Sequence, residues 1–197
     1  FITSVFEGIK ATSLIEWLAV VSTIMYVILV AKRLIICWLF AFVGSALFAY
    51  LCYEGNLYIE SILQLFYVIM AVVGWLSWKK SELKDNTIVK WKMNSHLLNV
   101  AISGVLAFIL GYLFENYSNQ ANPYIDAFTT LYSLSATYMV TKKILGNWIY
   151  WIIIDLVSIY LYAQRDYNLT AVQYGLFTIL AVFGFFAWRK EYKTQKA

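Results

Sequence analysis

AVVGWLSWKK, residues 71–80, returns 110 residues later as AVFGFFAWRK, residues 181–190. Each copy is apolar up to a tryptophan and closes on two basic residues. A helix leaves a hydrocarbon layer in this way, with an amphipathic ring at the interface and charge beyond it. The same offset sets Lys32 against Lys142, Trp38 against Trp148, Tyr50 against Tyr160 and Leu51 against Leu161, with Glu16 facing Asp126 and Arg33 facing Lys143. No gap is needed, so the chain is a duplication.

The duplicated unit is a membrane unit. Of 197 residues, 62% are hydrophobic, 19% aromatic and only 13% charged, with one proline. A soluble domain needs more polar surface than this, which points to an all-α integral membrane protein with the lipid bilayer as solvent. A spanning helix takes about 20 mainly apolar residues. Seven are expected, at 14–31, 34–53, 57–78, 95–114, 124–140, 144–163 and 169–188. The rest is an N-terminal segment (1–13), short loops, a polar cytoplasmic linker (79–94) and a tail (189–197), which leaves no room for a soluble catalytic domain. No removable signal peptide is expected, the first span directing insertion.

Spans one to three (14–78) recur as five to seven (124–188), while the fourth (95–114) has no copy. One extra crossing restores the orientation of the second triplet, so a 3+1+3 arrangement of parallel repeats is expected, with a ligand site near the midplane between the halves. Of the 15 Lys and Arg residues, all but Lys10 and Arg165 fall on one face. The positive-inside rule makes that face cytoplasmic, with the N-terminus outside and the C-terminus inside. The net charge of +4 then reports topology and contact with anionic headgroups, with no nucleic-acid pattern. Cys37 and Cys52 lie too far apart on one helix to bridge, and His96 is the only histidine, so neither a disulfide nor a metal site is expected.

Trp148, Trp151, Asp155, Ser158 and Tyr162 recur at spacings of three and four and share a helical face; Gln64 and Tyr67 lie on a second one. Asp155 and Gln64 each fall roughly 10 to 12 Å below the outer face. A charge there costs about 2.5 to 3.5 kcal/mol on the most lenient scale and so faces a cavity or a partner. No Lys or Arg lies at that depth. A lone carboxylate beside indole rings suits a ligand that is itself cationic and aromatic. Gln173 and Tyr174, near the outer end of the last span, either cap that cavity or wet the interface, and Glu60 is an entrance candidate. Trp38, Trp78 and Trp188 are read as an interfacial belt, Gly74 and Gly184 as close-packing positions, and the hydroxyls of the fifth span either as helix bridges or as lining of the path.

Rival classes lack their residues. A retinal protein needs a lysine in its last span, and 169–188 has none. An enzyme needs a nucleophile with a base or a metal pair, and direct ATP hydrolysis needs a P-loop. A membrane receptor or ligand sensor would need a larger cytoplasmic surface than these loops offer.

The pattern W-x-x-W-x-x-x-[N/D] at Trp148, Trp151 and Asp155, with Gln64, Tyr67, Gly74, Trp75 and Trp78, resembles the Pnu family of bacterial vitamin transporters over essentially the whole chain. The resemblance implies a fold related to the SWEET sugar transporters, no cofactor, and facilitated diffusion across the inner membrane by a rocker-type motion. The implied cargo is nicotinamide riboside, an NAD precursor whose ring is a pyridinium, trapped inside by a cytoplasmic kinase; family members that carry thiamine supply the alternative. On that reading Trp151 and Trp148 flank the ring, Asp155 compensates its charge, and Gln64 and Tyr67 hydrogen-bond the carboxamide or ribose hydroxyls. The duplicated site is asymmetric, because Trp151 and Asp155 align with Ala41 and Ser45, and Gln64 and Tyr67 with Tyr174 and Phe177. A homo-oligomer, a trimer, is a further expectation.

Overall fold

The computed structural model describes residues 2–55, 58–82, 87–117 and 122–196. Among them are eight helices: α1 (Ile2–Ala11), α2 (Leu14–Ala31), α3 (Cys37–Glu54), α4 (Tyr58–Glu82), α5 (Met93–Tyr117), α6 (Pro123–Thr141), α7 (Asn147–Gln164) and α8 (Asn168–Thr194). Of these, α2, α3, α4, α5 and α8 are long and apolar enough to cross a membrane. The helices α6 and α7 are equally long but carry the hydroxyls and the Trp-Trp-Asp stripe, which lower their hydropathy.

Local chemistry sets the ends. Ser13 caps α2 in a reciprocal box: its Oγ accepts from the Glu16 N–H (3.3 Å), and Glu16 Oε2 accepts from the Ser13 N–H (2.5 Å). Pro123 opens α6, where a missing N–H costs nothing. The turns after α2 and α6 are copies: Arg33 and Lys143 both take left-handed backbone, with φ of 54° and 52°. In each turn the N–H of the next residue reaches back into the helix, Leu34 to Leu29 O (3.0 Å) and Ile144 to Met139 O (2.9 Å). These turns delay α3 and α7 by three residues beyond the starts at 34 and 144 expected from hydropathy. At their basic ends α4 and α8 run on past the apolar runs, since hydropathy marks where lipid stops and not where hydrogen bonding does.

Packing follows the duplication. The helices α2, α3 and α4 pack in succession, as do α6, α7 and α8; in addition α2 packs on α8 and α4 on α6, while α5 leans on α6 and α1 on α8. Both flanking segments are structured, and one reading changes. The N-terminal segment is helical and docked, its Gly8 facing Leu169 of α8. The polar linker is packed as well: Ile88 is buried, Val89 forms a parallel bridge with Ile144, and the Ile88 N–H donates to Gln195 Oε1 (3.0 Å). Residues 83–86, including Lys84, lie outside the described residues. Finally, Trp38, Trp78 and Trp188 are no interfacial belt. At 2%, 1% and 0% exposure they are core, because they turn inward across the bundle axis and pack on one another. Gly74 and Gly184 do serve close packing, since a Cβ at either would lie within 2.6 Å of an indole, Trp38 or Trp148.

Candidate functional site

A cavity of about 530 Å³ runs between the two sets of helices, within the roughly 300 to 1,000 Å³ typical of small-molecule sites. All nine residues singled out in the sequence line it: Gln64 and Tyr67 from α4; Trp148, Trp151, Asp155, Ser158 and Tyr162 from α7; Gln173 and Tyr174 from α8. Glu60 lines it as well. The 3.6-residue period explains the convergence on α7, whose stripe turns to the chamber while Ile149, Ile153, Leu156 and Tyr160 are exposed on the opposite side.

Asp155 is 3% exposed and lies in the chamber wall, and among the described residues no basic side chain pairs with it. Arg165 lines the same chamber but lies ten residues on, about 15 Å of helix rise. Its guanidinium is already taken by Asp126, at 2.8 Å. The acid therefore neither points to lipid nor has its charge matched from within.

The rings divide by role. Trp148 is 2% exposed, wedged between Gly184 and the edge of Trp188 (5.5 Å, 89°), so it is a fixed floor. Trp151 is half-buried and has no ring partner among the described residues, which leaves its face to the chamber. Tyr162 and Tyr174 stack on each other across α7 and α8 (5.3 Å, 12°), with Phe177 set edge-on to Tyr174. Gln64 and Gln173 form no hydrogen bond among the described residues, so both amides remain available to a guest.

Tyr67 is the exception. Its hydroxyl lies 2.7 Å from Ser133 Oγ, and Ser133 spends its own proton on Thr130 O (3.0 Å). The phenol must then donate to Ser133, which leaves its oxygen only as an acceptor toward a guest. Ser133 is thus a residue that spacing did not single out from its hydroxyl-rich helix. Ser133→Ala removes the acceptor that orients Tyr67. The loss of about 1 kcal/mol should weaken ligand binding roughly fivefold by calorimetry. Ser133→Thr keeps the oxygen and should bind as the parent does; equal loss in both variants would deny Ser133 this role.

An all-helical bundle of long apolar helices around a polar, aromatic chamber defines a multi-pass membrane protein built to admit a small molecule. The family model described as nicotinamide mononucleotide transporter matches residues 13–190, and the chain belongs to that family. Its relatives are named transporters. It is 22% identical over 204 residues to the nicotinamide riboside transporter PnuC of Escherichia coli (strain K12), covering 88% of this chain and 85% of that protein. It is 26% identical over 205 residues to the nicotinamide riboside transporter PnuC of Neisseria mucosa, covering 94% and 78%. The fold matches a crystal structure of the vitamin B3 transporter PnuC with a TM-score of 0.79 and 25% identity, over 98% of this chain and 88% of that one.

Proposed function

We propose that this protein carries nicotinamide riboside across the bacterial inner membrane by facilitated diffusion. The observation that carries the reading is Asp155, an acid in the chamber wall with no basic partner among the described residues and with the free face of Trp151 one turn away on the same helix stripe. A pyridinium between them would meet a countercharge and a stacking surface together. Gln64, Gln173 and the acceptor oxygen of Tyr67 would then receive the carboxamide and ribose, with Ser158 and Tyr162 completing the wall. Relatives named nicotinamide riboside transporters support this cargo.

Seven crossings, α2 to α8, arranged 3+1+3 with α5 as the connector, would let the two halves rock about the chamber and expose it to each side in turn. The basic ends would face the cytoplasm, where a kinase acting on the imported vitamin would keep the gradient inward.

Titration of the purified protein with nicotinamide riboside and with thiamine tests the cargo. Heat should appear with the riboside alone, and vesicles containing the protein should fill to equilibrium without accumulation whether or not a pH gradient is imposed. Heat with thiamine alone would move the chain to the other vitamin. Heat with neither would remove the cationic-ligand reading.

A further inference from the structure

At the basic end of the bundle four tryptophans meet as two equivalent pairs. Trp38 stands edge-on to Trp78 at 5.5 Å and 89°, and 110 residues on, Trp148 stands edge-on to Trp188 with the same separation and angle. Trp78 and Trp188 join the pairs across the centre at 6.5 Å. None is more than 2% exposed, and the inner members, Trp38 and Trp148, also line the chamber.

The hydrogen bonds repeat in the same way, and each crosses from one half to the other. Trp78 Nε1 donates to Val140 O (3.2 Å), and Trp188 Nε1 donates to Val30 O (3.1 Å). Each runs from the third helix of one repeat to the last turn of the first helix of the other. Just beyond, Arg33 pairs with Glu191, and Lys143 Nζ donates to Ser81 Oγ (3.1 Å); these positions too are 110 apart. A motion that parts one such contact therefore parts its copy.

The cluster is also not fully satisfied. Among the described residues the buried indole N–H groups of Trp38 and Trp148 have no acceptor. A buried donor left unpaired opposes the packing that buries it, at least offsetting what one made bond contributes. The closed arrangement is thus held by two satisfied indoles and opposed by two orphaned ones, the balance expected of an element with two discrete packings.

We propose that the Trp38, Trp78, Trp148 and Trp188 cluster is the seal that closes the chamber on its basic side, and that it opens by parting α4 from α6 and α8 from α2 together. Cys37, fully buried beside Trp38, is a built-in reporter of opening. With Cys52→Ser as background, a hydrophilic maleimide should label Cys37 slowly in the parent. Labelling should be at least tenfold faster in Trp78→Phe/Trp188→Phe, which keeps one aromatic ring at each position and deletes both crossing bonds. Unchanged labelling in a double variant that elutes as folded protein would overturn the seal. Should that variant not fold, a second arm decides. Arg33→Cys/Glu191→Cys with both native cysteines replaced by serine, bridged by a short bifunctional thiosulfonate, should lose at least tenfold of nicotinamide riboside uptake and regain it on reduction. Full uptake through completely bridged protein would overturn the proposal equally. If the parent protein carries no riboside the cargo reading has failed, and the maleimide rates still decide the seal.

Discussion

Asp155→Ala is expected to weaken nicotinamide riboside binding about 100-fold and Asp155→Asn about tenfold, by calorimetry on detergent-purified protein. At an effective dielectric near 20, two unit charges about 4 Å apart attract by about 4 kcal/mol, of which solvation of the free partners returns a part. Asparagine loses the charge and keeps the hydrogen-bonding shape, which isolates the Coulomb contribution; alanine loses both. The reduced, dihydropyridine form of the ligand has the same outline and no ring charge. It should bind the parent weakly and lose nothing more in Asp155→Asn. Equal losses for charged and neutral ligands would mean that the acid only shapes the wall. Stability should move the other way. A carboxylate without a partner in this environment costs about 2.5 to 3.5 kcal/mol, so ligand-free Asp155→Asn should melt above the parent. A residue that destabilises the empty protein while strengthening the complex is difficult to explain by packing alone.

How much of this could be read before folding depends on the range of the forces involved. The apolar runs, the 110-residue repeat and the polar faces of the fourth and seventh helices are local patterns, and they located helices that line the chamber and nine of the residues in its wall. Asp155 was visible because a charge in an apolar run is costly wherever the chain goes. The tryptophans were misread because a helix-end indole looks the same one-dimensionally whether it turns out to headgroups or in to the axis. What turns Trp78 inward is a carbonyl at Val140, supplied by the other half. The commitment of the Tyr67 proton was equally invisible, since it depends on Ser133 being held by Thr130. Docking of α1, and the folding of the linker over Ile144, likewise depend on partners far along the chain.

Gly184→Ala and Gly175→Ala, nine residues apart on α8, should diverge sharply. By helix propensity alone each gains about 1 kcal/mol. At Gly175 a new Cβ meets nothing within 4 Å, so that variant should be neutral or more stable and bind normally. At Gly184 the Cβ would lie 2.5 Å from the Trp148 ring, and that ring is pinned by the edge of Trp188 and by burial. The indole cannot step aside without opening the cluster, and overpacking of this kind costs about 1 to 3 kcal/mol. For a chain of this size each kcal/mol lost lowers the melting temperature by about 2 to 4 °C. Because Trp148 floors the chamber, affinity should fall with stability. Gly74→Ala presses Trp38 in the same manner, with Cβ contacts of 2.4 Å, and should destabilise comparably. Its effect on affinity should be smaller, because Trp38 lies off the α7 stripe that carries Trp151 and Asp155. Melting curves and titrations of the three variants separate these outcomes. If Gly184→Ala melts with Gly175→Ala, the glycine under the indole is not what lets α8 pack against α7.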